Sequence, residues 1–134
     1  MTQANAGVNV NPCAVKRVTA SGNLVKYQPV VWSAEGVVAA PTDTNNVQAF
    51  AGFVKDADIS DGAYGEVITY GEALALLNGT VTVGGYLQIG STTACEAAST
   101  SSADVIQVVA KALKAGDSGE VIPVQIMDFT VQYN

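Results

Sequence analysis

Gly65-Glu66-Val67-Ile68 and Gly119-Glu120-Val121-Ile122 are the same four residues, met twice in one chain. Each copy closes a similar run: an apolar stretch, a small acidic turn, then the Gly-Glu-Val-Ile segment. The upstream half of each run also matches, Gly22-Asn23-Leu24-Val25 resembling Gly84-Gly85-Tyr86-Leu87. The two anchors give different offsets, 54 residues from Gly65 to Gly119 and 62 from Gly22 to Gly84. The spacing predicts two related β units, about residues 19–71 and 84–129. One such unit leaves its apolar face open, whereas two packed together share a core.

The expected fold is therefore all-β: a compact β barrel or sandwich built from two related units in one domain, residues 19–134. Residues 1–18 are read as an extended N-terminal arm. Val8-Asn9-Val10-Asn11 alternates at the strand period, Pro12 forbids a helix across it, and Val15 and Val18 continue the spaced valines.

Within the units, Asn23 to Trp32 reads as a β-rich stretch that Pro29 places at an edge or bend. Val37–Ala40, Val47–Lys55 and Tyr64–Tyr70 read as further strands, and Pro41–Asn46 and Ala98–Ala103 as loops. Glu72 to Leu77 has helical propensity but is too short to hold a helix. Asn78-Gly79, followed by the alternating Thr80-Val81-Thr82-Val83, predicts a hairpin, so Ala73–Leu77 is read as a strand. Tyr86–Ile89, Val121–Gln125 and Met127–Tyr133 follow as β structure. Residues 105–113 fit either a helical face capped by Gly116 or a strand. Their β-branched residues, and the matching first-unit stretch around Gly52, favour the strand.

At 134 residues the chain suits one domain and buries roughly two-thirds of its unfolded surface. It is 49% hydrophobic and only 13% charged, well below the roughly 25% of ordinary soluble domains. A low-charge surface is one suited to meeting other proteins. The net charge is −6, and Lys16, Arg17, Lys26, Lys55, Lys111 and Lys114 are scattered. Without a basic stripe to neutralise phosphates, the expectation is no nucleic-acid partner. The start of the chain lacks the basic and apolar regions of a secretion signal. No run of about 18 apolar residues predicts a membrane helix, and no membrane partner is expected. Cys13 and Cys95 stand far apart in no metal or disulfide pattern, and both are read as free thiols of a reducing compartment.

Nothing in the residues points to catalysis. There is no histidine, which removes the usual general base and the commonest metal ligand. Neither cysteine has a neighbour basic enough to make a thiolate. Glu66 and Glu120, at matching positions of the tetrapeptide, read as solvated strand-start residues rather than a glycosidase pair. Asp56, Asp58 and Asp61 before Gly62 miss calcium-loop spacing by one residue and read as a turn. No phosphate-loop pattern occurs. The expected catalytic, cofactor and metal residues are none. Tyr27, Trp32 and Tyr86 are read as subunit-interface or packing aromatics; the alternative makes them the platform of a virion or cell-surface glycan-binding module.

Six segments carry a family likeness: Thr19–Val25, Phe50–Ala57, Gly65–Ile68, Thr80–Leu87, Val108–Leu113 and Gly119–Ile122. Together they give, twice, a strand opening after Gly, a hairpin, an apolar strand, and a turn leading into Gly-Glu-Val. This pattern resembles the small capsid decoration (cement) proteins of tailed bacteriophages over about residues 19–128. The long turn Asp56–Ala63 and the tail Thr130–Asn134 depart from it. The resemblance implies a β barrel or sandwich, usually a homotrimer, seated on the outer capsid surface of the virion after synthesis in the host cytoplasm. It implies the major capsid protein as partner, with no catalysis and no cofactor.

On that reading, Val8, Val10, Pro12, Val15 and Val18 form the capsid-binding arm, adding a strand to a capsid sheet edge. Burying four valines contributes about 6–12 kcal/mol. Ordering about 15 residues costs on the order of 15–30 kcal/mol. A single arm therefore cannot hold by itself, and linked arms and body contacts must supply the rest.

Overall fold

The computed structural model describes residue 10 and residues 12–42, 47–100 and 105–132. Val8, and parts of the loops expected at 41–46 and 98–103, lie outside them. The described residues form nine strands and no helix: β1 Pro12–Ser21, β2 Pro29–Ala34, β3 Val37–Ala39, β4 Phe50–Val54, β5 Tyr64–Leu76, β6 Tyr86–Ile89, β7 Cys95–Ala97, β8 Val105–Ala112 and β9 Val121–Gln132.

The strands close two rings that share β5. In the first ring the order is β1-β3-β2-β4-β5, and β5 pairs back onto β1. In the second, the latter half of β5 pairs with β9, then β8, β6 and β7 follow. A parallel bridge from Cys95 to Leu77, just past the end of β5, closes that ring. Closure removes most of the sheet edges that an open sheet would expose. β5 is thus the last strand of one unit and the first strand of the next.

The duplication is a structural one with an offset of 57 residues, becoming 58 between β4 and β8, where Tyr27 N donates to Val54 O as Gly84 N does to Ala112 O. Ala20 pairs in parallel with Val38, as Leu77 does with Cys95. Gly62 N donates to Ala20 O and Gly119 N to Leu77 O, both at 2.8 Å. Leu24 bridges Ile59 as Val81 bridges Gly116. Val18 faces Gly65 across β1–β5 as Ala75 faces Ile122 across β5–β9.

This register corrects the one read from letters. The duplicated tetrapeptide is out of step by three: the partner of Gly65-Glu66-Val67-Ile68 is Ile122-Pro123-Val124-Gln125. Likewise Gly22-Asn23-Leu24-Val25 corresponds to Gly79-Thr80-Val81-Thr82, not to Gly84–Leu87. The paired units are β1 to the first half of β5, and the second half of β5 to β9.

Tyr27 adopts φ +72 where the second unit has Gly84 at φ +82. The turn demands a left-handed residue at this position in both units, and only one unit supplies the residue that adopts it without strain.

Three other expectations change. Pro12–Val18, assigned to the arm, is strand β1 of the body, paired with β5 from Pro12↔Gly71 to Val18↔Gly65. Val18 is 1% exposed, in the first core; the ring needs a first strand, and inward burial of this valine supplies it. Tyr64 to Leu76 is one strand rather than two. Asn78-Gly79 makes no hairpin, because Leu77 and Val81 both bury in the second core, which a tight two-residue reversal would not allow. Residues 105–112 are a strand, as the repeat predicts.

Each ring has a core. Val18, Leu24, Val30, Val38, Val54 and Val67 fill the first, and Leu77, Leu87, Ile89, Val109, Ile122 and Val124 the second. Phe53 and Ile68 belong to the second cluster although they stand on β4 and β5 of the first unit. They face out of their own ring and are 0% and 4% exposed beneath the second unit. Full burial of each contributes about 1.5–3 kcal/mol, so this contact locks the units together. Buried amides reinforce it. Gln28 Nε2 donates to Thr92 O at 2.9 Å. Gln107 exchanges two 2.9 Å bonds with the backbone of Gln48.

Candidate interaction surface

Alternation along β9 decides which side chains look outward. Ile122, Val124 and Ile126 point into the second core. Pro123, Gln125 and Met127 therefore face away; past the register shift at Val108/Ala110 it is the contact with Tyr86 that places Phe129, and with it Val131, on the same side. Strand pairing extends this face onto β8, where Lys111 lies opposite Gln125, Val108 opposite Phe129 and Ile106 opposite Val131. Val108 is buried yet lies in neither core cluster, in keeping with its outward direction. Tyr86, opposite Lys111 on β6, completes the face. Its ring meets Phe129 edge-on at 5.5 Å and 87°, a favoured aromatic arrangement.

The result is a strip of Tyr86, Ile106, Val108, Met127, Phe129 and Val131 without a charged member, Lys111 standing at its border. Tyr86 is 46% exposed and Phe129 37%. On the opposite face of the same ribbon Gln107 Nε2 donates to Asp128 Oδ1 at 2.9 Å. A groove of about 230 Å³, lined by Phe50, Tyr70, Met127 and Asp128 among others, continues from the strip to the unit junction.

The residues expected to form the arm do not act as one segment. Val10 is half-buried outside the strands. The backbone of Pro12 pairs with Gly71, and Val15, 41% exposed, lies opposite Ile68. Val18 is core. The three aromatics are not brought together either. Lys26 lies over Tyr27, Lys16 over Trp32 at the far end of β2, and Tyr86 joins Phe129 in the second unit. Sequence reading missed Phe129 and Val108. The signal was the outward register of β9, which the tetrapeptide offset placed wrongly.

The acidic and thiol candidates have structural employment. Asp58 Oδ1 accepts the Lys26 amide at 2.9 Å and Asp61 Oδ1 the Gly22 amide at 2.8 Å, clasping the turn. Glu66 lies 3.8 Å from Lys55 Nζ, while Glu120 Oε1 accepts the Asp117 amide; the two carboxylates hold unrelated places. Burial, and then Glu96, push the Cys95 thiol up to about 12. That keeps it protonated and poorly nucleophilic at neutral pH. No disulfide joins it to Cys13.

The chain matches no family model and no curated protein sequence. Among solved structures it is similar to the N base of the head fiber gp8.5 of bacteriophage phi29, with a TM-score of 0.63 at 14% identity over 90% of this chain and 98% of that one. The likeness spans both rings, and what the two chains share is the all-β fold.

Proposed function

We propose that this protein is a structural component of a phage virion, carried on the outer surface of the capsid as a homotrimer. There it stabilises the shell by clamping neighbouring major capsid subunits. The observation that carries this reading is the likeness, over nearly the whole of both chains, to the base of a phage head fiber. The low charge of the chain and its uncharged outward strip suit such a role, since interface cores are depleted of charge and enriched in aromatics.

The structure changes how the clamp would work. With Val18 in the core and Val15 in β1, only Val8 and Val10 remain to an arm, so most of the hold passes to the body. The glycan-binding alternative loses its platform, because its three aromatics have separate partners. The test is co-sedimentation of the purified chain with capsids of the phage that encodes it. Saturable binding at a fixed copy number per capsid is expected, and weakening without loss when residues 1–9 are deleted. Absence of binding by the intact chain refutes the role.

A further inference from the structure

We propose that Asn78 is a site of spontaneous modification, where the side-chain amide closes onto the Gly79 nitrogen and hydrolyses to aspartate and isoaspartate at the seam of the second ring. Asparagine before glycine is the pairing in which this closure meets least obstruction, because glycine carries no Cβ beside its nitrogen. In a folded chain the outcome turns on whether that nitrogen is already engaged. The duplication supplies the comparison. Gly22 holds in the first unit the place of Gly79 in the second, and Gly22 N is clasped by Asp61 Oδ1 at 2.8 Å. The residue corresponding to Asp61 is Ser118, and Gly79 N donates to none of the described residues. Asp61-Gly62 is the other dipeptide of the chain prone to this chemistry. It is locked, since Gly62 N donates to Ala20 O at 2.8 Å and the Asp61 carboxylate holds the clasp. Asn78 is exposed, and its amide makes one long bond, 3.4 Å to Gly90 O. A Cβ placed on Gly79 would meet nothing within 4 Å, so the backbone there has room to turn.

The Gly79 nitrogen, its proton lost to solvent, attacks Asn78 Cγ. The N–Cγ bond forms, the Cγ–Nδ2 bond breaks, and Nδ2 takes a proton from water and leaves as ammonia. Water then opens the cyclic imide. Attack at Cγ gives aspartate in a normal chain. Attack at the main-chain carbonyl carbon gives isoaspartate, with Cβ added to the main chain. The position makes this consequential. Leu77 and Cys95 form the parallel bridge that closes the second ring, and Asn78 N donates to Cys95 O at 2.7 Å. Beyond the dipeptide, Val81 N donates to Gly116 O at 2.8 Å. The chain is pinned on both sides, so an extra main-chain atom between these points displaces one of them. Isoaspartate here loosens β7 from the end of β5, and either product places a new carboxylate at the seam.

The experiment incubates the folded full chain at mildly alkaline pH, beside a portion unfolded in urea. Peptide mapping by mass spectrometry follows amide loss at Asn78, and enzymatic methylation scores isoaspartate. Asn78 is expected to convert in the folded chain ahead of Asn23, with isoaspartate among the products and Asp61 unchanged. Gly79→Ala, which shields the nitrogen, should slow the loss several-fold. Ser118→Asp, which gives the second unit the acceptor that Asp61 gives the first, should slow it several-fold in the folded chain and not in urea. Hydrogen exchange on the aged wild type should be faster at residues 77–81 and 94–97 than on fresh protein, which reads the seam without any variant. Retention of the Asn78 amide in the folded chain, over a period in which the unfolded chain converts it, overturns the site. Equal folded rates for wild type and Ser118→Asp overturn the missing clasp as its cause. Unchanged exchange in a converted sample overturns the effect on the ring.

Discussion

Replacing Gly52 by alanine should be among the most damaging single-methyl changes in this protein. Gly52 sits in β4 at φ +149, and a Cβ there would lie 2.0 Å from Ile68 O, 2.9 Å from Ile68 C and 3.1 Å from Val67 Cγ1. The nearest obstacle is backbone, and β5 is held at this point by β4 on one side and β1 on the other. Relief therefore means parting β4 from β5 at Phe53↔Ile68. The backbone strain costs about 1–3 kcal/mol. Displacing Val67 from the first core and Ile68 from the second costs part of about 1.5–3 kcal/mol each. A total of roughly 3–6 kcal/mol stands against a stability of roughly 5–15 kcal/mol for domains in general. Gly79→Ala is the matched control, with no atom within 4 Å and a backbone outside the left-handed region; it should be neutral or gain up to about 1 kcal/mol. Thermal and urea unfolding by circular dichroism compare the two. A Gly52→Ala melting point within a few degrees of wild type would refute the tight β4–β5 approach on which the junction of the two units depends.

Four further outcomes follow from other parts of the molecule. Gly84→Ala should cost about 1–2 kcal/mol by forcing a side chain into left-handed backbone. Tyr27→Gly at the corresponding turn should stay within about 1 kcal/mol of wild type, since relief of strain offsets loss of the half-buried ring; urea midpoints decide. Gln28→Ala should cost about 2–4 kcal/mol, because it strands the Val25 amide and the Thr92 carbonyl that Gln28 satisfies; a loss below 1 kcal/mol would show that water replaces it. Burial raises the Cys95 thiol from 9.0 to about 12, so the folded state holds its proton where the unfolded state releases it. That contribution is complete below pH 9 and is lost as pH rises toward 12, at about 1.4 kcal/mol per pH unit. Cys95→Ala should show a shallower alkaline loss of stability than wild type, and identical slopes would contradict the assignment.

The sequence by itself determined the class of structure and the fact of duplication. Period-two valines, turn residues such as Asp61-Gly62 and the recurrence of a strand-forming tetrapeptide are local properties, and local chemistry is enough to prefer strands over helices. For residues 105–112 the letters left helix and strand open, and the analogy with the stretch around Gly52 only favoured the strand that forms. Register was beyond its reach. Letters aligned Gly65 with Gly119, while backbone hydrogen bonds align Gly62 with Gly119. Those bonds depend on which strands meet across the ring, not on which residues resemble each other. The same limit explains Val18: an alternating segment carries no mark of whether its inward face finds a core or solvent. Only the tertiary structure decided that β5 serves both rings, that Phe53 and Ile68 bury outside their own barrel, and that Phe129 meets Tyr86 at the surface. Side-chain direction in a strand follows from pairing, and pairing between residues some fifty apart is fixed by closure of the whole sheet.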